Sequence, residues 1–289
     1  MSNEQKYTKG FVTSKDGTTI GYRQMGSGPG IILLHGGFNT SQHLMKLGTL
    51  LLDKFTVYIP DRRGRGLSGP FGENYSLQKE DEDLDAILKK TGAHYVFGTA
   101  DGALFALHAA ISLMAIHKVF AFEPVLFVDQ PGVEEFKVLM GRFDEKIAED
   151  NLAEAMVVLT KGANIKFINY LIPDFILEEI FKLYLWNEDR KATGDDVSGR
   201  ELLPLAKYEF QLVQETEGTI EDYKNVSAEV LLINSINSAP LIECTNIELD
   251  KILPHSKHIE LKGINHDSAQ NYGKPEPIAQ EIKSFYKEE

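Results

Sequence analysis

Residues Gly98-Thr99-Ala100-Asp101-Gly102 join an apolar strand-like run, Tyr95-Val96-Phe97, to an apolar helix-like run from Ala103 to Ala115. No linker separates the two, so the chain passes from strand to helix in one sharp turn. The flanking glycines let the backbone take that turn. In the pattern G-x-S-x-G the central serine is presented at the apex. Here the centre is Ala100, which has no oxygen to attack with.

The runs on either side repeat the strand-then-helix rhythm. Phe11-Val12-Thr13 and Thr19-Ile20-Gly21-Tyr22 flank the turn signal Lys15-Asp16-Gly17 and read as a hairpin. Gly30–Leu34, Phe55–Ile59 and Lys118–Phe122 are short, continuously apolar runs, as strands buried on both faces require. Leu77, Leu84, Ile87 and Leu88 predict a helix over 76–90 with an acidic outer face. From about 129 to 222 only helical patterns occur, including 151–159 and the apolar stretch 165–186, with a loop at 195–199. Strands resume at Glu229–Ile233 and His258–Leu261, and a closing helix follows over 277–286. Alternating strands and helices imply a mostly parallel sheet covered on both faces. The helical block reads as a cap of 129–222 inserted into a core of 1–128 and 223–289.

Bulk composition narrows the partners. A net charge of −13 argues against nucleic acid and against anionic membranes. No apolar run reaches the ~20 residues of a membrane span, and the polar start lacks the apolar core of a signal peptide. The single cysteine, Cys244, has no partner within the chain and reads as a small buried hydrophobe. No metal-ligand spacing and no nucleotide fingerprint occurs, so no cofactor is expected. These features together predict a soluble, cytoplasmic protein.

Three further motifs accompany the turn. Leu34-His35-Gly36-Gly37-Phe38 follows a strand, where glycines let backbone N–H groups face a cavity. Asp61-Arg62-Arg63-Gly64-Arg65-Gly66-Leu67-Ser68 reads as a structural turn with solvated or paired arginines. Gly263-Ile264-Asn265-His266-Asp267 follows the last strand and offers His266 as a general base. His35, His43 and His108 read as structural.

In this order and spacing the four features resemble the α/β-hydrolase superfamily, over about 10–125 and 226–288. The resemblance implies an eight-stranded, mostly parallel sheet flanked by helices, with the site at the strand ends beneath the cap. It implies Ala100 at the nucleophile position, His266 as base, and oxyanion donors on Asp101 and on Gly37 or Phe38. The usual acid position, Asn234–Leu241, holds no carboxylate. Relatives that place a glutamate after the preceding strand direct attention to Glu123, with Asp267 and Glu243 in reserve. Asp101 lies one residue past the apex and reads as a first-turn helix residue rather than a nucleophile.

Apolar cap residues predict a largely apolar pocket for a hydrophobic ester- or lactone-type ligand, with Phe38, Tyr170, Phe175, Tyr184 and Trp186 as candidate contacts. The leading reading is an esterase or lactonase frame, inactive because alanine replaces the elbow serine. That suits a single serine-to-alanine substitution better than broad decay of the site. Two alternatives stay open: a non-catalytic small-molecule binding protein, and a cofactor-free enzyme that abstracts protons with a His266–Glu123 dyad. The oligomeric state is not legible.

Overall fold

In the computed structural model, which describes residues 7–128, 132–162 and 172–286, the short apolar runs become the strands of one sheet. These are β1 (Thr8–Thr13), β2 (Thr19–Gly26), β3 (Gly30–Leu34), β4 (Thr56–Pro60), β5 (Tyr95–Thr99), β6 (Lys118–Phe122), β7 (Glu229–Ser235) and β8 (Ser256–Leu261). Their order is β1-β2-β4-β3-β5-β6-β7-β8. The β1–β2 and β2–β4 pairs are antiparallel and every later pair is parallel.

Side chains alternate across a strand, and that alternation divides the core in two. Ile31, Leu33, Phe97, Phe120 and Ile233 point to one face, against α1 (Met45–Leu50) and the closing helix, α10 (Pro275–Tyr286). Ile32, Leu34, Val96, Val119 and Leu232 point to the other, against α2 (Leu77–Thr91) and α3 (Asp101–Ala110). The helix α9 (Pro240–Ile252) contributes Leu249 to that second face. Neither α1 nor α9 was read from the sequence. The acidic outer face expected of α2 is only partly found. Glu80 and Asp83 are buried with Leu84 and Ile87, because each meets a buried arginine.

Between β6 and β7 lie α4 (Val133–Ala148), α5 (Leu152–Gly162), α6 (Asp174–Lys191), α7 (Gly199–Leu202) and α8 (Ala206–Gln214). This insertion builds its own apolar cluster around Phe143, Leu152, Leu185 and Phe210, and Phe38 of the sheet domain packs into it. The seam is not clean. Leu212 and Val213 of α8 join the main core, and the 222/223 boundary falls inside the 3-10 turn Ile220–Asn225.

β3 has β4 on one side and β5 on the other. The chain therefore leaves the centre of the sheet in both directions, and such a switch point opens a crevice at the carboxyl ends of the strands. The loop after β3 and the turn after β5 meet there.

Candidate active site

The turn after β5 is as sharp as the sequence requires, but its glycines serve a different purpose. Neither Gly98 nor Gly102 has a positive φ; that conformation falls on Ala100, with φ 53° and ψ −124°. The glycines are needed for close approach. A β-carbon on Gly98 would lie 2.2 Å from the Gly102 carbonyl oxygen, and one on Gly102 2.5 Å from that of Leu34. Ala100 is half-buried, and its amide donates to the Phe122 carbonyl at 3.0 Å. Phe38, Ala100 and Glu123 are three of only five non-glycine residues with positive φ among the described residues. Backbone strain of about 1–3 kcal/mol per residue thus gathers at the ends of β3, β5 and β6.

Glu123 is fully buried, one residue past the end of β6 and beside Ala100 across the parallel pair. Its Oε2 accepts from His266 Nδ1 at 2.7 Å. Its Oε1 accepts the Ser235 N–H at 3.0 Å and the Ser238 hydroxyl at 2.5 Å. The segment that lacks a carboxylate therefore supplies the donors for this one. Ser235 also donates from Oγ to the Ile264 carbonyl at 2.8 Å, tying the histidine loop to β7. Neither serine was singled out from the sequence, and no local signal marks them, because their role depends on the register of β7.

Burial opposes the charge of both partners, and their mutual hydrogen bond outweighs it. The Glu123 carboxyl is held below its ordinary range by His266, Ser238 and Ser235. The His266 imidazole rises above its ordinary value through Glu123. Its side chain remains 46% exposed, so substrate and solvent can reach it. Nδ1–H on Glu123 leaves Nε2 with the lone pair. Of the reserve acids, Asp267 follows His266 but accepts only from Gln270 at 3.4 Å and Tyr272 at 3.5 Å, and Glu243 sits in the first turn of α9.

The loop after β3 corrects one expectation. The Gly37 N–H donates to Asp101 Oδ1 at 2.7 Å, so it is already occupied. Phe38 and Asp101 are left as the candidate backbone donors. No protein acceptor for either N–H occurs among the described residues. The Phe38 ring is fixed edge-on to Phe143 at 5.7 Å and Phe210 at 6.5 Å.

The three arginines after β4 are paired and buried, none of them solvated. Arg63 meets Asp83 at 2.6 Å and Asp16 at 2.7 Å. Arg62 meets Glu209 of α8 at 2.7 Å and Glu80 of α2 at 3.1 Å, and stacks 4.0 Å from the Phe105 ring. Arg65 also pairs with Glu209. Sequence reasoning missed Glu209, which looks like an ordinary solvent-facing acid on an amphipathic helix. Arg62 N–H donates to Nε2 of the fully buried His35 at 3.2 Å.

Of the candidate ligand contacts, Phe175 and Trp186 lie on the exposed side of α6, with Arg190 4.5 Å above the indole. Tyr184 is partly exposed; Asp267 and Glu188 raise the pKa of its hydroxyl together with burial, which is the larger cause. Tyr170 lies outside the described residues. Among the described residues no cluster of His, Cys, Asp and Glu is arranged to hold a metal ion, and no helix is long and apolar enough to cross a membrane.

A family model described as the alpha/beta hydrolase family matches residues 31–246. The chain is 32% identical over 115 residues to the uncharacterized hydrolase YraK of Bacillus subtilis strain 168. That match covers 38% of this chain and 42% of the relative, so less than half of the curated relative's length is spanned. An alpha/beta hydrolase from Sphaerobacter thermophilus superposes with a TM-score of 0.74 at 26% identity, over 96% of this chain and all of that one. The carboxylesterase CesB of Bacillus subtilis gives 0.64 at 16% identity, over 98% and 93%, a likeness of fold.

Proposed function

Because the chain belongs to the alpha/beta hydrolase family, we propose that it is the frame of a serine esterase or lactonase with alanine at the nucleophile position. The observation that carries this reading is the 2.7 Å hydrogen bond from His266 to buried Glu123, made at the strand end next to Ala100. A carboxylate is costly to bury unless it is paired and hydrogen-bonded, and three donors hold Glu123 charged against its partner. Here the partner is an exposed imidazole whose Nε2 meets no protein hydrogen-bond partner among the described residues.

In the serine form the roles follow from position. His266 Nε2 takes the hydroxyl proton as the oxygen attacks a carbonyl carbon. Glu123 holds the tautomer and stabilises the imidazolium. The Phe38 and Asp101 amides receive the oxyanion. His266 then returns the proton to the leaving alkoxide, and water repeats the sequence to release the acid. With alanine at position 100 the apex has no hydroxyl to form the acyl bond, and loss of such a nucleophile costs about 10⁶ in rate. The Phe38 ring, packed edge-on to buried Phe143 and Phe210, sets an apolar group beside the oxyanion loop, which fits a neutral hydrophobic ester or lactone. We assign 129–222 as the cap over a core of 1–128 and 223–289.

The test is turnover of short-chain p-nitrophenyl esters by Ala100→Ser, with the parent chain as blank. The account expects multiple turnovers in the variant and none in the parent. A folded, inactive variant that binds hydrophobic esters as tightly as the parent overturns it in favour of a binding protein. Activity in the parent, abolished by His266→Ala, overturns it in favour of a proton-abstracting dyad.

A further inference from the structure

The roles above leave the Asp101 side chain unused. Its Oδ1 accepts the Gly37 N–H at 2.7 Å. Its Oδ2 is buried without a hydrogen bond and lies 3.6 Å from Arg62 Nη1, which is itself directed at Glu209 Oε2 at 2.7 Å. A β-carbon on Gly37 would fall 3.2 Å from Asp101 Oδ2 and 3.4 Å from Glu209 Cγ, so both carboxyl side chains press on one glycine.

Charge counting identifies the odd group. Arg62 and Arg65 bring two positive charges, and Glu80, Glu209 and Asp101 bring three carboxyls. Glu209 takes contacts from both guanidiniums and Glu80 takes a forked one from Arg62. Asp101 takes none within hydrogen-bond distance. Neighbouring buried carboxyls cannot both ionise freely. An oxygen left without a donor beside a carboxylate is where a proton belongs.

We propose that Asp101 is a positioning residue for the oxyanion loop: kept in its acid form, it bridges the Gly37 amide and the Glu209 carboxylate and so fixes the Phe38 N–H beneath the insertion. The bridge joins three elements, since Asp101 opens α3, Gly37 follows β3 and Glu209 lies on α8. The groups that face Asp101 agree with it. Burial and the Glu209 charge push its carboxyl up to about 8, against Arg62 and the Gly37 N–H. Arg62 and Arg65 hold Glu209 well below its ordinary range despite burial. Glu80 and Tyr75 stand behind Arg62, and His266 faces Asp101 from the loop after β8.

The consequence for rate rests on the hydrolase reading, but the bridge itself does not. The first arm therefore follows the Gly37 ¹H–¹⁵N shift of the Ala100 protein between pH 6 and 10. The account expects an inflection near pH 8. Asp101→Asn, which keeps an acceptor for Gly37 and a donor for Glu209, removes it. Glu209→Gln moves it to lower pH. A flat profile, or one unmoved by Glu209→Gln, overturns the proposal. The second arm uses Ala100→Ser: adding Asp101→Ala lowers kcat by about 10² with KM changed by less than ~3-fold, whereas the conservative Asp101→Asn recovers most of that loss and extends activity to higher pH. Equal effects of the two substitutions overturn the positioning role. If Ala100→Ser is inactive while Gly37 titrates as described, the hydrolase reading fails and the bridge stands.

Discussion

At the residue scale the account turns on Glu123. It has no solvent exposure, a positive φ of 50° and three hydrogen-bond donors around it. Burial and positive φ are costly for any acid, and the three donors offset the burial of one that must hold an imidazole. In an Ala100→Ser background, Glu123→Gln lowers kcat by about 10⁴, the scale of losing the tautomer-holding acid. The pH dependence carries a sign. The base acts only when neutral, and Glu123 raises the His266 pKa above its ordinary 6.5. Ester turnover by Ala100→Ser therefore rises with pH through a midpoint above 6.5, and Glu123→Gln moves that midpoint down. A midpoint indifferent to Glu123 contradicts the pairing. His266 and Glu123 were legible in the sequence because each stands where a strand gives way to a loop. Ser235, Ser238 and Glu209 were not, since their partners lie more than a hundred residues away in sequence and nothing local distinguishes them.

At the element scale the decisive feature is the joint between β5 and α3. Its apex conformation is imposed on Ala100 by the glycines that let the helix start almost in contact with the strand. Gly102→Ala drives a methyl group against the Leu34 and His35 carbonyls and lowers stability by about 3 kcal/mol, the upper end for overpacking. Urea unfolding of the Ala100 protein measures this. A loss below about 0.5 kcal/mol, typical of a surface substitution, contradicts the close approach. The turn itself was legible from Gly98 and Gly102, although their purpose was not: sequence spacing shows where glycine stands, while only the packing shows what a β-carbon would strike. The α3 run was read as reaching Ala115, yet the helix ends at Ala110. The next apolar residues, Ile111 and Leu113, continue through tight turns and still pack on the core. Apolar composition gives burial and leaves the helix end open.

At the scale of the whole molecule the sheet and its cover follow from alternation. The parallel strands β3 to β7 are apolar on both faces, and each longer run between strands carries a helix. Six of the eight strands correspond to runs legible within two residues; β1 starts three residues before its apolar part, and β2 extends four beyond its own into the antiparallel pair with β4. The insertion was legible as a break in rhythm. Its attachment was not, because apolar packing of Leu212 and Val213 is joined by charge: Arg62 and Arg65 of the core meet Glu209 of α8 in a buried network. Burying one such pair contributes little net stability but strongly penalises loss of either partner, so it fixes how the insertion sits.

These scales converge on one position. Ala100, strained and half-buried, stands at the end of β5 next to Glu123, which holds His266. The most direct measurement is reaction of Ala100→Ser with a fluorophosphonate, followed by mass spectrometry of the intact chain and of its peptides. The account predicts one adduct per chain on residue 100, absent from the parent and abolished by His266→Ala. A folded Ala100→Ser chain that takes up no label, or takes it elsewhere, contradicts it.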